Sequence, residues 1–133
     1  MKLTMKSEYS LLALIYIARH KDGGFIRIEE ICARYGLPKK YLEHLLSALK
    51  QSGYVTTRRG SGGGYKLARP ARKISMAEVI RLMDGPLAPT ESVSRYFFAP
   101  TPLAKEKKVL SVLKRIRDYT SETLERRKLS DLV

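Results

Sequence analysis

Leu11, Leu12, Ile15 and Ala18 recur at helical spacing within the run LLALIYIA, and the KDGG that follows supplies two glycines to end the segment. This pattern predicts a first helix. A second, short helix fits IEEICARYG, with Ile28, Ile31 and Cys32 on one face and Gly36 just past its end. In LPKKYLEHLLSALKQSG, Pro38 suits a first helical turn and Gly53 is the expected stop. Between them Leu42, Leu45, Leu46 and Leu49 follow the i, i+3, i+4, i+7 template of a helix with one buried face. Only a few residues, Gly36 and Leu37 among them, separate the second and third helices, so the two must turn sharply and cross as a helix-turn-helix.

Directly after Gly53 the period shortens to that of a strand in YVTTRR; a glycine turn follows, and YKLAR alternates again, which predicts a β-hairpin. Ser75 and Glu78 form an S-x-x-E capping signature before AEVIRLMDG, a fourth helix closing at Gly85. Four prolines in PLAPTESVSRYFFAPTP make residues 86–102 a loop or linker. Thr101 and Pro102 then suit the cap and first position of a long helix with Val109, Leu113, Ile116 and Thr120 on one stripe, widened by Leu110, Val112 and Leu124. A helix of this kind, beyond a loop and away from the first core, is explained by pairing with its copy in a homodimer; the alternative is that it folds back on its own domain. The resulting fold class is mainly α with a small β-hairpin. A winged helix-turn-helix domain spans residues 1–85, a loop 86–101, and a dimerisation helix with a C-terminal tail 102–133.

Length and charge narrow the function. A chain of 133 residues matches one domain with an added helix, and a net charge of +13 attracts polyanions. The excess is concentrated, since residues 1–74 hold 15 of the cations and only 5 of the acids. Within it, TTRRGSGGGYKLARPARK, Thr56–Lys73, carries four glycines, six cations and no carboxylate. The glycines fail as a nucleotide cradle: Tyr65 stands where G-x-G-x-x-G needs its last glycine, no G-K-[ST] follows, and the next segment is strand-like. Read as a wing, the same residues form a slim hairpin tip that can lie on a sugar-phosphate backbone or enter a minor groove. Arg58, Arg59, Lys66, Arg69, Arg72 and Lys73 are then expected to meet phosphates.

On the third helix the face opposite the leucines presents Lys39, Lys40, Tyr41, Glu43, His44, Ser47 and Lys50. Residues near the start of such a helix reach base edges in the major groove. The candidate DNA-binding set is therefore Lys39, Lys40, Tyr41, Glu43 and His44 on the helix, with Arg58, Arg59, Ser61, Gly62, Gly63, Tyr65 and Lys66 on the hairpin. Glu43 has two readings: it accepts a hydrogen bond from a cytosine amino group, or it is an exposed acid that trims non-specific affinity. His44 suits a hydrogen bond or a packing surface, and His20 has no partner visible in sequence.

Other chemistries find little support. A single cysteine, Cys32, forms no internal disulfide and cannot supply a multi-cysteine metal site; it reads as a small core residue, with a redox trigger as the alternative. There is no H-E-x-x-H, C-x-x-C or G-x-S-x-G, so neither enzyme nor cofactor nor metal is expected. The longest apolar run, Leu11 to Ala18, is far short of the roughly 20 residues of a membrane span. Its flanks lack a cleavage site, and a cytoplasmic location is expected.

The opening MKLTMKSEYSLLAL, YLEHLLSALKQSGYV, RRGSGGGYKLARP and ISMAEVIRLMDGPLAP together resemble the bacterial winged-helix transcription regulators that include IscR, NsrR and CymR, over nearly the whole chain. The resemblance implies a repressing homodimer with crossed C-terminal helices, each subunit placing one helix in a major groove and one wing in a minor groove of a pseudo-palindromic operator. It also implies that Tyr41, Glu43 and Arg59 touch DNA. Cluster-binding members of that family carry three cysteines after the fourth helix, where Ser92, Phe98 and Ala104 stand here. Iron-sulfur sensing is therefore not carried over. Tyr96, Phe97 and Phe98 are left to pack into the dimer core, dock a protein partner or line a small-molecule pocket. Two further readings stay open beside a sequence-specific regulator: a non-specific or architectural nucleic-acid binder, and a module that docks a partner enzyme through the long helix.

Overall fold

A computed structural model describes residues 1–20 and 24–133. Lys21, Asp22 and Gly23, most of the KDGG stop expected after the first helix, lie outside the described residues. The described chain forms α1 (Met5–Arg19), α2 (Ile28–Tyr35), α3 (Lys39–Gln51), β1 (Val55–Arg58), β2 (Gly64–Leu67), α4 (Met76–Asp84) and α5 (Lys107–Arg126). Short 3-10 turns occur at Ala71–Lys73, Glu91–Val93, Pro102–Lys105 and Leu129–Asp131. Five helices and one antiparallel hairpin among the described residues make the winged helix-turn-helix expected from the pattern.

Leu42, Leu46 and Leu49 are buried in the core that α3 shares with α1, Leu45 is buried beside it, and each stabilises the fold by about 1.5–3 kcal/mol. Gly36, with φ +68, ends α2 in the left-handed region, and its N–H donates to the Cys32 carbonyl, so α3 can begin three residues later, at Lys39. The buried face of α1 differs from the one expected. Leu11, Leu14, Ile17 and Ala18 are buried while Leu12 and Ile15 are only half-buried. A helix apolar on nearly every side gives periodicity no purchase on which side faces the core. Its small residues Ser7, Ser10 and Ala13 are fully buried, as the packing of α1 against α4 demands. Thr4 fastens that pair, its amide and hydroxyl both donating to the Asp84 carboxylate.

The hairpin pairs Val55 with Leu67 through to Arg58 with Gly64. A short segment before α2 adds to it, because Ile26 and Tyr65 exchange two backbone hydrogen bonds of 2.7 Å. This close approach explains Gly64: a Cβ there would stand 2.3 Å from the Ile26 carbonyl oxygen.

Residues beyond α4 depart from a plain linker. Ser92, Val93 and Ser94 are buried, and the Arg117 guanidinium donates to the Val93 carbonyl at 2.9 Å, binding the loop to α5. Pro102 opens a separate 3-10 turn; Glu106 is non-helical, so α5 starts at Lys107 instead of continuing from Pro102. Helix α5 does not stand wholly apart from the first core. It packs on α4, Arg81 pairs with Glu125, and the chain beyond it returns to pair with the entry to α4. There the Met76 amide donates to Arg127 and the Leu129 amide to Ile74, and the Leu129 side chain is fully buried.

Glu78 joins several of these pieces. Its carboxylate accepts from the Ser75 amide, the Tyr54 hydroxyl and the Arg69 guanidinium, each at 2.9 Å. Burial alone would raise this carboxyl, but the three donors outweigh burial and hold it below the ordinary carboxylate value. A depressed folded-state pKa means that the stabilisation is complete above the unfolded value, near 4.5, and is lost as pH falls through the folded one. Glu78→Gln should therefore destabilise the protein at neutral pH by about 1–3 kcal/mol and make stability fall less steeply below pH ~5. Urea melts across pH check both effects, and an acid limb identical to wild type would contradict the assignment.

Candidate nucleic-acid interface

Because the leucines of α3 face inward, its polar residues face out. Lys40, Glu43, His44 and Ser47 are exposed, with no ion-pair or hydrogen-bond partner among the described residues. Lys39 is also exposed but pairs with Glu29 of α2 at 3.2 Å, across the joint of the helix-turn-helix. Tyr41 is half-buried, its ring edge-on to Tyr9 of α1 with centroids 5.7 Å apart. The N-terminus of α3 is thereby braced on both sides while its next turn stays open to solvent.

The wing stands beside this surface. Glu43 and Lys39 from α3 and Arg58, Gly60, Gly63, Gly64 and Tyr65 from the hairpin bound one groove of about 240 Å³, closed by Arg27 and Glu29. Helix and wing thus share a continuous face. Burial, reinforced by the Glu43 and Glu29 carboxylates, pushes the Tyr65 phenol up and keeps it a neutral hydroxyl.

The six cations of the Thr56–Lys73 stretch are not equivalent. Arg59 is exposed at the hairpin tip without an acid or hydrogen-bond partner among the described residues; Arg72 and Lys73 also lack an acid partner there. Arg58 is instead held within the wing. Its guanidinium donates to the Gly62 carbonyl at 3.1 Å and lies 4.6 Å over the Phe25 ring, which also sits 5.8 Å from the Lys66 ammonium. Arg69, expected on phosphate, is paired with Glu78, donates to the Lys73 carbonyl and stacks on Tyr54, so it braces the hairpin base. The acid responsible lies outside the acid-free stretch, which is why composition within the stretch did not reveal it.

The tip backbone is equally constrained. A Cβ on Gly63 would stand 2.2 Å from the Arg58 carbonyl oxygen, and the Gly63 amide donates to Gly60 at 3.0 Å. Ser61 and Gly62 are exposed at the turn between them. Sequence reasoning missed Phe25 and Arg27, the latter donating to the Gly60 carbonyl at 3.5 Å. Their only signal was the brief alternation FIRI before α2, too short to stand out as a strand.

Cys32 is half-buried on α2, and burial followed by the Glu29 charge raises its thiol above the ordinary value. Fewer thiolates at neutral pH argue against a redox trigger. Tyr96, Phe97 and Phe98 remain exposed, with the Arg81 guanidinium 4.6 Å over the Tyr96 ring, so they do not pack into the core of their own chain. On α5, Val109 and Ile116 of the expected stripe are exposed, while Leu113 and Thr120 are half-buried; Val112 and Tyr119 complete the exposed apolar line. No helix among the described residues is long and apolar enough to cross a membrane.

Comparison with known proteins agrees with this geometry. A family model, Rrf2, described as an iron-dependent transcriptional regulator, matches residues 3–133. A protein of Rhodobacter capsulatus named as an rrf2-like HTH-type transcriptional regulator is 41% identical over 101 residues, covering 74% of this chain and 67% of that protein. An HTH-type transcriptional regulator of Mycobacterium tuberculosis is 36% identical over 93 residues, 70% of this chain and 58% of its own length. The aligned part of this chain thus spans about two thirds or less of these relatives. Among solved structures, CymR, the global cysteine regulator of B. subtilis, superposes with a TM-score of 0.81 at 30% identity over 99% of this chain and 95% of its own. IscR of T. potens superposes at 0.76 with 29% identity over 99% and 85%. These relatives are transcription regulators and not enzymes.

The residues here do not fit the iron chemistry in the family's description. A cluster needs several soft thiolate donors, and this chain has one cysteine, on α2. Among the described residues no three His, Cys, Asp or Glu side chains converge to hold a metal. Ser92 has its hydroxyl engaged by Thr101, 2.6 Å between oxygens.

If Arg58 braces the tip while Arg59 is free, their alanine variants should part company in the protein without DNA. Arg58→Ala should speed amide exchange at Gly63 by about fivefold, the equivalent of one lost hydrogen bond, whereas Arg59→Ala should leave it unchanged. Equal exchange in both variants, measured by NMR, would remove Arg58 from this bracing role.

Proposed function

This chain belongs to the Rrf2 family of DNA-binding transcription regulators, and from that premise we propose that it acts as a cytoplasmic, homodimeric, sequence-specific repressor of a pseudo-palindromic operator, without an iron-sulfur cluster. The observation that carries the reading is the groove where α3 and the wing meet, lined by Lys39 and Glu43 from the helix and by Arg58, Gly60 and Gly63 from the hairpin, with exposed Lys40 and His44 elsewhere on α3 and exposed Arg59 at the wing tip, none of these three paired with an acid among the described residues. In it, Lys40, Tyr41, Glu43 and His44 face a major groove, and Arg59 with Ser61, Gly62 and Gly63 enters the neighbouring minor groove. Lys39, Tyr65, Lys66 and Arg58 line or stiffen the approach. Repression follows from occupancy, since a dimer astride two half-sites keeps polymerase off the same duplex.

Two observations support a homodimer. Val112 and Tyr119 are 57% and 76% exposed on α5, in line with Val109 and Ile116. Tyr96, Phe97 and Phe98 add an aromatic loop, also open to solvent. An apolar line of this length left in water is a contact surface, and the self-complementary pairing of a two-fold dimer covers it once on each copy.

Genomic DNA selection with the purified protein tests the reading directly. Recovered sites should bind about 10³-fold or more tightly than random duplex at physiological salt, with affinity falling steeply as salt rises. Equal affinity for random DNA would instead make the protein a non-specific binder. On such a site Arg59→Ala should cost about 1–3 kcal/mol, and Glu43→Ala should broaden the selected bases more than it changes total affinity. Sedimentation should give a mass near twice the 15.1 kDa of one chain, falling to one chain in Ile116→Glu. A monomeric wild type at micromolar concentration would refute the dimer.

A further inference from the structure

We infer that the cavity at the wing base is a binding site for a small organic anion with an apolar body. The cavity, about 560 Å³, lies between the end of α1, strand β2 with the turn after it, and the returning C-terminal segment. Its volume falls within the range of small-molecule sites.

The walls specify the ligand class. Ile17, Ala18, Leu67 and Ala71 make part of the lining apolar, so an inorganic ion alone would leave most of the space unfilled and its own hydration shell against hydrocarbon. The charged groups of the lining favour an anionic head. Lys66, Arg69 and Arg72 contribute three cations and Ser130 a hydroxyl, and among the described residues no carboxylate lines the cavity. Arg69 has its charge met by Glu78, whereas Lys66 and Arg72 have no acid partner among the described residues. An anion bound here supplies the charge that the protein leaves out.

The site is also built from fixed parts. His20 forms one wall with its Nδ1 2.7 Å from the Tyr16 carbonyl oxygen, which can only accept, so Nδ1 carries the proton. The imidazole stacks on the Tyr16 ring with centroids 4.1 Å apart. Opposite, the Ala68 amide donates to the Tyr54 carbonyl at 3.0 Å, holding the end of β2. Ser130 belongs to the turn anchored by the buried Leu129. Such preformed walls spare the ligand the cost of ordering them. Binding rests on this cavity alone and does not depend on the DNA-binding reading.

Titration of the full-length ¹⁵N-labelled protein, without DNA, by benzoate, benzyl alcohol and inorganic phosphate tests the inference. Benzoate should produce saturable shifts at the amides of Ala18, His20, Leu67, Ala68 and Ser130. Benzyl alcohol, matched in shape but uncharged, should bind about tenfold more weakly, and phosphate should not saturate these positions. Arg72→Glu should weaken benzoate by about fivefold, and Ala68→Trp, at an exposed Cβ on the rim, should abolish the shifts by filling the space. Arg72 is exposed, so its variant keeps the test alive if the tryptophan disturbs folding. Absence of saturable shifts at these amides below about 20 mM benzoate would overturn the site. Equal binding of benzyl alcohol or phosphate would overturn the ligand class, and benzoate affinity unchanged in Arg72→Glu would overturn the assigned contact.

Discussion

When four leucines on one side of a thirteen-residue helix are driven out of water, the other side has no choice but to face it, and in this protein that other side is the surface proposed to read DNA. The orientation of α3 follows from apolar burial, not from any attraction to DNA. Tyr41 packed on Tyr9 and Lys39 paired with Glu29 then fix the start of the helix. The hairpin follows α3 after Tyr54, a buried residue, so the wing inherits its position from the same core.

Charge is divided between two jobs. Arg58 and Arg69 spend their guanidinium groups inside the protein, on Gly62 and Phe25 in one case and on Glu78 in the other. They keep the hairpin stiff, so that Arg59 projects from a defined tip rather than a loose loop. A stiff projection loses little freedom when it docks, and this favours affinity more than an extra mobile cation would. Counting cations along a chain overstates how many can meet a polyanion, because a guanidinium that donates to backbone is already in use.

Much of the architecture is legible in the sequence. The leucine pattern of α3, the change of period at Tyr54, the capping box at Ser75 and the turn at Gly36 each have a local cause written in neighbouring residues. What escaped detection is non-local or ambiguous. The bridge from Ile26 to Tyr65 and the return of Arg127–Leu129 to Ile74–Met76 rest on two or three residues each, and no period repeats over so few. Helix α1 is apolar on nearly all sides, so which of its faces is buried was decided by α3 and α4. On the candidate surface, the exposure of Arg59 and of the polar α3 face follows from the sequence pattern, whereas Arg27 and Phe25 acquire meaning only from what the fold sets beside them.

The returning C-terminal segment bears on how the protein is made. Leu129 fills a place in the first core, and Ile74, whose carbonyl receives its amide, is translated long before it. A nascent chain emerging from the ribosome therefore presents the helix-turn-helix and wing with one side of their interior still open, and closure waits until α5 and Leu129 beyond it have been synthesised. Folding of the helix-turn-helix and wing is thus tied to synthesis of a segment far downstream of them, and a polypeptide cut short before Leu129 would carry the basic surface on an unfinished body.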